Sequence, residues 1–284
     1  MKTTKEKSSL KKYFHQYKEA NFTKGNRAAL IVYQVLTVVV IAALVVQAIQ
    51  GNYEHCFTCA LTLILFLVPN FLEKKLKVTM PQTLEVIIIL FIFSAQMLGE
   101  LRAFYLKFPW WDTMLHTMNG FLMAAIGFSL VDILNENENF KFDLSPMFIA
   151  VVSFCFSMTI GVLWEFFEFF ADIVMEMDMQ KDTIITAFSS VDFNSAGLNV
   201  PVRISGIDEI IMRGGNLALD GAPINEYVVN GGYIDMGIID TMNDLIVNFI
   251  GAVVFSVLGY VYIKNRGKGF AAKFIPKRET ADKD

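Results

Sequence analysis

The stretch from Tyr33 to Val46, YQVLTVVVIAALVV, contains no charged residue, and the apolar run around it extends from about residue 28 to residue 49. A helix needs about 20 mostly apolar residues to cross about 30 Å of hydrocarbon, so this run reads as a membrane span. It is too long for the core of a signal peptide, and no small-residue cleavage site follows it. Five further runs of the same kind lie at about 56–72, 82–101, 113–132, 146–171 and 237–263. Composition agrees: of 284 residues 54% are hydrophobic and 18% charged, with a mean hydropathy of +0.46. An ordinary soluble domain carries about 45–50% apolar and about 25% charged residues. The expected fold is therefore all-α, a multi-pass transmembrane helical bundle of about six spans over residues 28–263 with one long external loop at about 172–236. A basic N-terminal segment, 1–27, and a basic tail, 264–284, flank it on the cytoplasmic side.

The same numbers exclude other classes. Disorder needs low hydrophobicity, and a disulfide-stapled module needs more than the three cysteines present, Cys56, Cys59 and Cys155. No basic patch accompanies the aromatic residues, so nucleic acid is not an expected partner. The net charge of −4 hides a segregation. Nineteen Lys and Arg fall in the N-terminal segment, the 73–81 and 133–144 loops and the tail, while five fall in the other connections. Basic residues are retained in the cytoplasm during insertion, so both termini are expected there, in the plasma membrane. Trp110, Trp111 and Trp164 then fall at the outer interface, where amphipathic rings prefer to sit. The 172–236 connection carries ten acidic and three basic residues, seven glycines and two prolines. Stretches such as Asn199 to Ile204 suit short paired strands, and the connection reads as a partly ordered external cap.

An ionisable group at the centre of a membrane helix costs about 2.5–3.5 kcal/mol on insertion scales, so each one needs a reason. Glu100 ends the third span, Asp112 and His116 open the fourth, Glu165 and Glu168 lie late in the fifth, and Asp240 and Asp244 open the sixth. With the expected topology, all of these lie at the outer ends of their helices. Asp112, His116 and Gly120 follow a four-residue step, as do Asp240, Asp244 and Asn248, so each trio forms one stripe with about 6 Å of rise between neighbours. Glu165 and Glu168 share a face on which Gly161 lies one turn earlier. Small residues along such stripes allow close helix approach, which turns the stripes toward one another and away from lipid. Like charges at low dielectric cannot all stay ionised, so the expected pocket holds protons or a cation. Oxygen ligands with one imidazole suit Mg, Mn or Fe, with Zn as a further candidate.

The ordered set D-x-x-x-H-x-x-x-G at Asp112, His116 and Gly120, W-E-x-x-E at Trp164 to Glu168, and D-x-x-x-D-x-x-x-N-x-x-G at Asp240, Asp244, Asn248 and Gly251 resembles the YjdF-like family of bacterial inner-membrane proteins. More distantly it is similar to the VanZ-like membrane proteins, linked to glycopeptide resistance. The resemblance spans about residues 80–260 and implies a multi-helix plasma-membrane fold with an envelope role. The 172–236 insertion and Glu168, where the VanZ pattern usually has Gln, depart from it.

Two readings of the pocket stand side by side. One is an interhelical hydrogen-bond network of protonated carboxyls. The other is a metal-assisted hydrolase or transferase acting on a lipid-linked or envelope substrate, with His116, Glu165, Glu168, Asp240 and Asp244 as metal ligands and Asp112 or Glu100 as general base. A cation- or proton-coupled transporter and a non-catalytic envelope sensor are the alternatives. Cys56 and Cys59 form a C-x-x-C without a second pair, which is a weak metal or redox signal. The Phe166, Phe167, Phe169 and Phe170 run reads as lipid-facing and packing surface.

Overall fold

A computed structural model describes residues 27–76, 78–135, 144–265 and 268–278. The basic segment up to residue 26, Lys141 and the last six residues lie outside the described residues. Among the described residues six helices are long and apolar enough to cross a membrane. They are α1 (Arg27–Gln50), α2 (Tyr53–Leu76), a third span of α3 (Gln82–Phe93) with a π-helical continuation (Ser94–Leu101), α5 (Trp111–Asn135), α6 (Pro146–Met175) and α7 (Ile238–Lys264), with the short α4 (Phe104–Lys107) between the third span and α5. The expected runs and the observed helices coincide. The main differences are that α6 continues to Met175 and that the third span changes helix type at Ser94.

That change has a local consequence. In a π-helix each backbone N–H bonds five residues back, so the helix widens and its side-chain directions shift. Gln96, Met97 and Gly99 are buried along it. Tyr105 lies over Gly99 so closely that a Cβ there would run into the ring. The reversal into α4 is made at Ala103, whose φ of +53° is the left-handed conformation. Phe104, Phe108, Trp110 and Trp111 then cluster, with Phe104 and Trp111 4.9 Å apart edge to face. Trp111 is buried there and Trp110 is exposed, so of this adjacent pair only Trp110 presents its ring outward.

The chain divides into two compact units, with the boundaries inside α6 after Val162 and inside α7 after Asp244. The first unit holds the described residues up to 162 and from 245 onward. Its core runs through Phe66 of α2, Leu84 and Ile89 of α3, Leu122 and Phe128 of α5, Ile149 of α6 and Phe255 of α7. α5 has 44% of its most apolar window buried and α1 only 11%, so α5 is the central helix and α1 the one that offers most surface to lipid.

Close approach of α5 and α7 rests on two glycines. A Cβ on Gly120 would collide with the Asn248 carbonyl oxygen, and a Cβ on Gly251 with the Thr117 carbonyl oxygen. Hydroxyls join the third partner: Ser157 Oγ donates to the Gly120 carbonyl at 2.7 Å and Ser153 Oγ to the Ala124 carbonyl at 2.6 Å. Asn119 Nδ2 donates to Asn248 Oδ1 at 2.9 Å. Small residues with cross-helix polar bonds are the usual means of association where the solvent is as apolar as the side chains.

The second unit, 163–244, holds the end of α6, the 172–236 connection and the start of α7. The connection is a set of short antiparallel pairs: β2 (Ile184–Ile185) with β9 (Tyr233–Ile234), β3 (Ala187–Ser190) with β4 (Val202–Ser205), β5 (Glu209–Arg213) with β8 (Glu226–Asn230), and β6 (Ala218–Leu219) with β7 (Ala222–Pro223). The pairing expected near Asn199 to Ile204 is realised as Phe188 opposite Ile204 and Ser190 opposite Val202. In the first unit, β1 (Val78–Thr79) pairs with β10 (Lys277–Arg278), tying the tail to the 73–81 loop.

Candidate carboxylate site

In the first unit, Asp112 and His116 sit one turn apart at the start of α5, with His116 Nε2 3.5 Å from Asp112 Oδ1. His116 is buried and Asp112 half-buried. One turn further along the stripe, Gly120 meets Asn248, whose amide also lies 2.7 Å from where a Cβ on Gly161 would stand. Glu100 is half-buried at the end of the π-helical segment, and its carbonyl accepts the Ala103 N–H at 3.0 Å.

In the second unit the acids converge. Glu165 and Glu168 of α6 and Asp244 of α7 are 4%, 7% and 3% exposed, and each offers a carboxylate oxygen within 4.8 Å of the others. Asp240 offers one within the same distance of Asp244. Three buried carboxylates therefore occupy a space the size of one ion's coordination sphere, with a fourth acid beside them.

Two groups orient this set. The Trp164 indole N–H donates to Glu168 Oε1 at 2.7 Å, across one helical turn. From sequence Trp164 reads as an interface residue, and the four-residue spacing of W-E-F-F-E also suits this contact. Asp240 Oδ2 accepts the Lys181 backbone N–H at 2.8 Å, so one of its oxygens holds the connection in place.

Other acids serve the backbone. Asp235 Oδ2 accepts the Ile239 N–H at 2.7 Å at the start of α7, and its Oδ1 accepts the Thr183 N–H at 2.6 Å. Asp172 accepts the N–H groups of Met179 and Gln180 at 2.6 and 2.8 Å, folding the chain back on the end of α6. Gln180 Nε2 in turn donates to Thr241 Oγ1 at 2.6 Å. Beside them, partial burial and the nearby Asp178, Asp235 and Asp172 push the Asp182 carboxyl above the ordinary aspartate range, with Lys181 opposing. From sequence these acids read as loop charge, because nothing local in ADIV at Asp172 or YIDM at Asp235 signals which backbone groups they cap.

A family profile described as a predicted membrane protein (DUF2238) matches residues 32–192, more than half of the chain. The chain belongs to the DUF2238 family. No curated protein and no solved structure matches it. The DUF2238 match takes in Glu100, Asp112, His116, Glu165 and Glu168 and ends before Asp240 and Asp244, so the α7 half of the carboxylate set lies beyond the matched region. The protein is thus an integral membrane protein of the DUF2238 family, and among the described residues six helices are long and apolar enough to cross its bilayer.

Proposed function

We propose that the carboxylates of Glu165, Glu168 and Asp244 hold a divalent cation and that this DUF2238 protein uses it as a metal-assisted hydrolase or transferase on a lipid-linked or envelope substrate. The observation that carries the reading is the mutual approach of three buried carboxylates to within 4.8 Å. Such a set is stable only with protons or a cation between its members, and an ion satisfies all of them at once. The oxygen-rich donors favour Mg or Mn, with Fe and Zn as the alternatives.

His116 is assigned to the same ion from sequence order: it lies one turn before Gly120 on α5, as Asp244 lies one turn before Asn248 on α7. Asp240, which offers a carboxylate oxygen within 4.8 Å of one of Asp244, is a further ligand. When bound, the cation would polarise a phosphoryl or carbonyl oxygen or lower the pKa of a water. Asp112 or Glu100 then acts as general base, and Trp164 fixes the direction of the Glu168 carboxylate. The finer likeness to the YjdF-like and VanZ-like proteins belongs to this reading, as do the plasma membrane, the outward-facing site and cytoplasmic termini.

Elemental analysis of the purified full-length protein tests it. Bound divalent metal is expected in the wild type and lost in Glu165→Ala and Asp244→Ala, with a smaller loss in His116→Ala. Wild type without metal after reconstitution would leave a network of protonated carboxyls or a proton-coupled transporter, and would end the metal mechanism.

A further inference from the structure

The first unit contains an open cleft of about 450 Å³ where the end of α1, the start of α2 and the end of the third span meet. Those three ends lie on one side of the membrane by the order of the spans, so the cleft is an interfacial feature. Its polar wall is Gln47, Gln50, Asn52, His55 and Arg102, and its apolar wall includes Ala43, Val46 and Leu101. It contains no carboxylate. Its volume is in the range of about 300–1,000 Å³ of small-molecule sites.

The polar wall carries several donors. Asn52 Nδ2 donates to Gln47 Oε1 at 2.8 Å and to Gln50 Oε1 at 3.3 Å. Each glutamine Oε1 thus accepts a bond, and each glutamine amide nitrogen remains a donor for a ligand in the cleft. Among the described residues the Arg102 guanidinium has no ion-pair or hydrogen-bond partner; only its backbone carbonyl is used, accepting from Lys107 Nζ at 2.7 Å. An unpaired guanidinium beside neutral amide donors is the donor set that a phosphate oxygen accepts best. The apolar wall of Ala43, Val46 and Leu101 suits the first methylenes of a chain attached to that phosphate.

We infer that this cleft binds the phosphate of an anionic amphiphile, with Arg102 as its charged anchor and Gln47 and Gln50 as its neutral donors. It stands on residues of the first unit and on none of the carboxylates, so it survives or fails independently of the metal reading. The chemistry recognised is a phosphate oxygen, whose source is a phospholipid headgroup or free phosphate.

Native mass spectrometry of the delipidated full-length protein, titrated with dioctanoyl phosphatidylglycerol, dioctanoyl phosphatidylcholine and inorganic phosphate, tests the inference. Phosphatidylglycerol is expected to bind in preference to phosphatidylcholine, and to lose about tenfold or more in affinity in Arg102→Gln, the scale of a charge-assisted bond. Gln47→Leu should weaken it less, and Arg203→Gln, which removes an exposed cation outside the cleft wall, should leave it unchanged. Displacement of the lipid by inorganic phosphate assigns the recognition to the free anion, and resistance to it assigns a headgroup with its chain; both support the site. Equal affinity in the wild type and Arg102→Gln, or an equal loss in Arg203→Gln, would overturn it as diffuse surface charge.

Discussion

Gly120, Gly251 and Gly161 all sit where helices touch, yet they differ in what a side chain would meet. At Gly120 and Gly251 the obstacle is backbone carbonyl oxygen, which cannot move without shifting a helix; at Gly161 it is the Asn248 side-chain amide, which can rotate. Gly120→Ala and Gly251→Ala are therefore expected to destabilise the bundle by about 1–3 kcal/mol each, the usual cost of overpacking, and Gly161→Ala by less. Thermal unfolding followed by size-exclusion fluorescence of each variant gives the order, and equal losses at all three positions would contradict it. Trp164 makes a different kind of test. Trp164→Phe keeps an aromatic ring and deletes only the N–H donor to Glu168, so the fold should persist while divalent-metal affinity falls by about 10–100-fold, as for other groups that orient ligands. Calorimetric titration of Mn into both proteins measures it, and an unchanged affinity would remove Trp164 from the site.

Element by element, legibility follows the range of the interactions involved. The six spans are readable because an uninterrupted apolar run of membrane length has no competing interpretation, and the stripes of Asp112, His116 and Gly120 or of Asp240, Asp244 and Asn248 follow from helical geometry alone. The π-helical turn at Ser94–Leu101 is not readable, since SAQMLGEL contains no proline and one glycine and differs from an α-helix only in which carbonyl each N–H selects. Nor is the strand register of the 172–236 connection, where Ile184 pairs with Ile234 fifty residues away and the sequence supplies turn punctuation but no partner. The anchors of that connection are its acids. Asp235→Ala removes the acceptor for Ile239 and Thr183 together, so α7 should lose about 0.5–2 kcal/mol at its first turn. Hydrogen exchange at the Ile239 and Thr183 amides should rise in this variant while the core of α5 stays protected. Asp182 works in the opposite sense. Its carboxyl is raised above the ordinary range, so the folded connection binds its proton more readily than the unfolded chain does. Stability from this group therefore increases as pH falls through the window between the raised and ordinary values, and is lost as pH rises through it. Asp182→Asn should be slightly more stable than wild type at neutral pH, with the difference closing in acid; melting curves of both across that range decide it, and a difference that grows in acid would reverse the sign. The effect is small because the side chain is exposed and its neighbours are screened.

At the scale of the whole molecule the decisive quantity is which face of the membrane receives the carboxylate end of the helices. Nineteen of the twenty-four Lys and Arg lie in connections on the side of the termini, and basic residues near span ends are what the insertion machinery retains. Much of that bias lies in residues 1–26 and in Lys141, so the prediction concerns sequence as much as fold. With six spans the termini share a side, and the 172–236 connection must then lie opposite them. Its own charge of ten acids against three bases is neutral to this choice, because acidic residues contribute little to orientation. Single cysteines at two exposed positions separate the alternatives: Ser195→Cys in the connection and Asn265→Cys just beyond α7, each in a background lacking Cys56, Cys59 and Cys155. In intact cells an impermeant maleimide is expected to label Ser195→Cys and to reach Asn265→Cys only after permeabilisation. The opposite pattern would turn the protein over, place Glu165, Glu168 and Asp244 at the cytoplasmic face, and require a cytosolic substrate in place of an envelope one. Labelling of both positions in intact cells would put both ends of α7 on one side, and α7, the one long helix between them, would then have to lie within the membrane without spanning it.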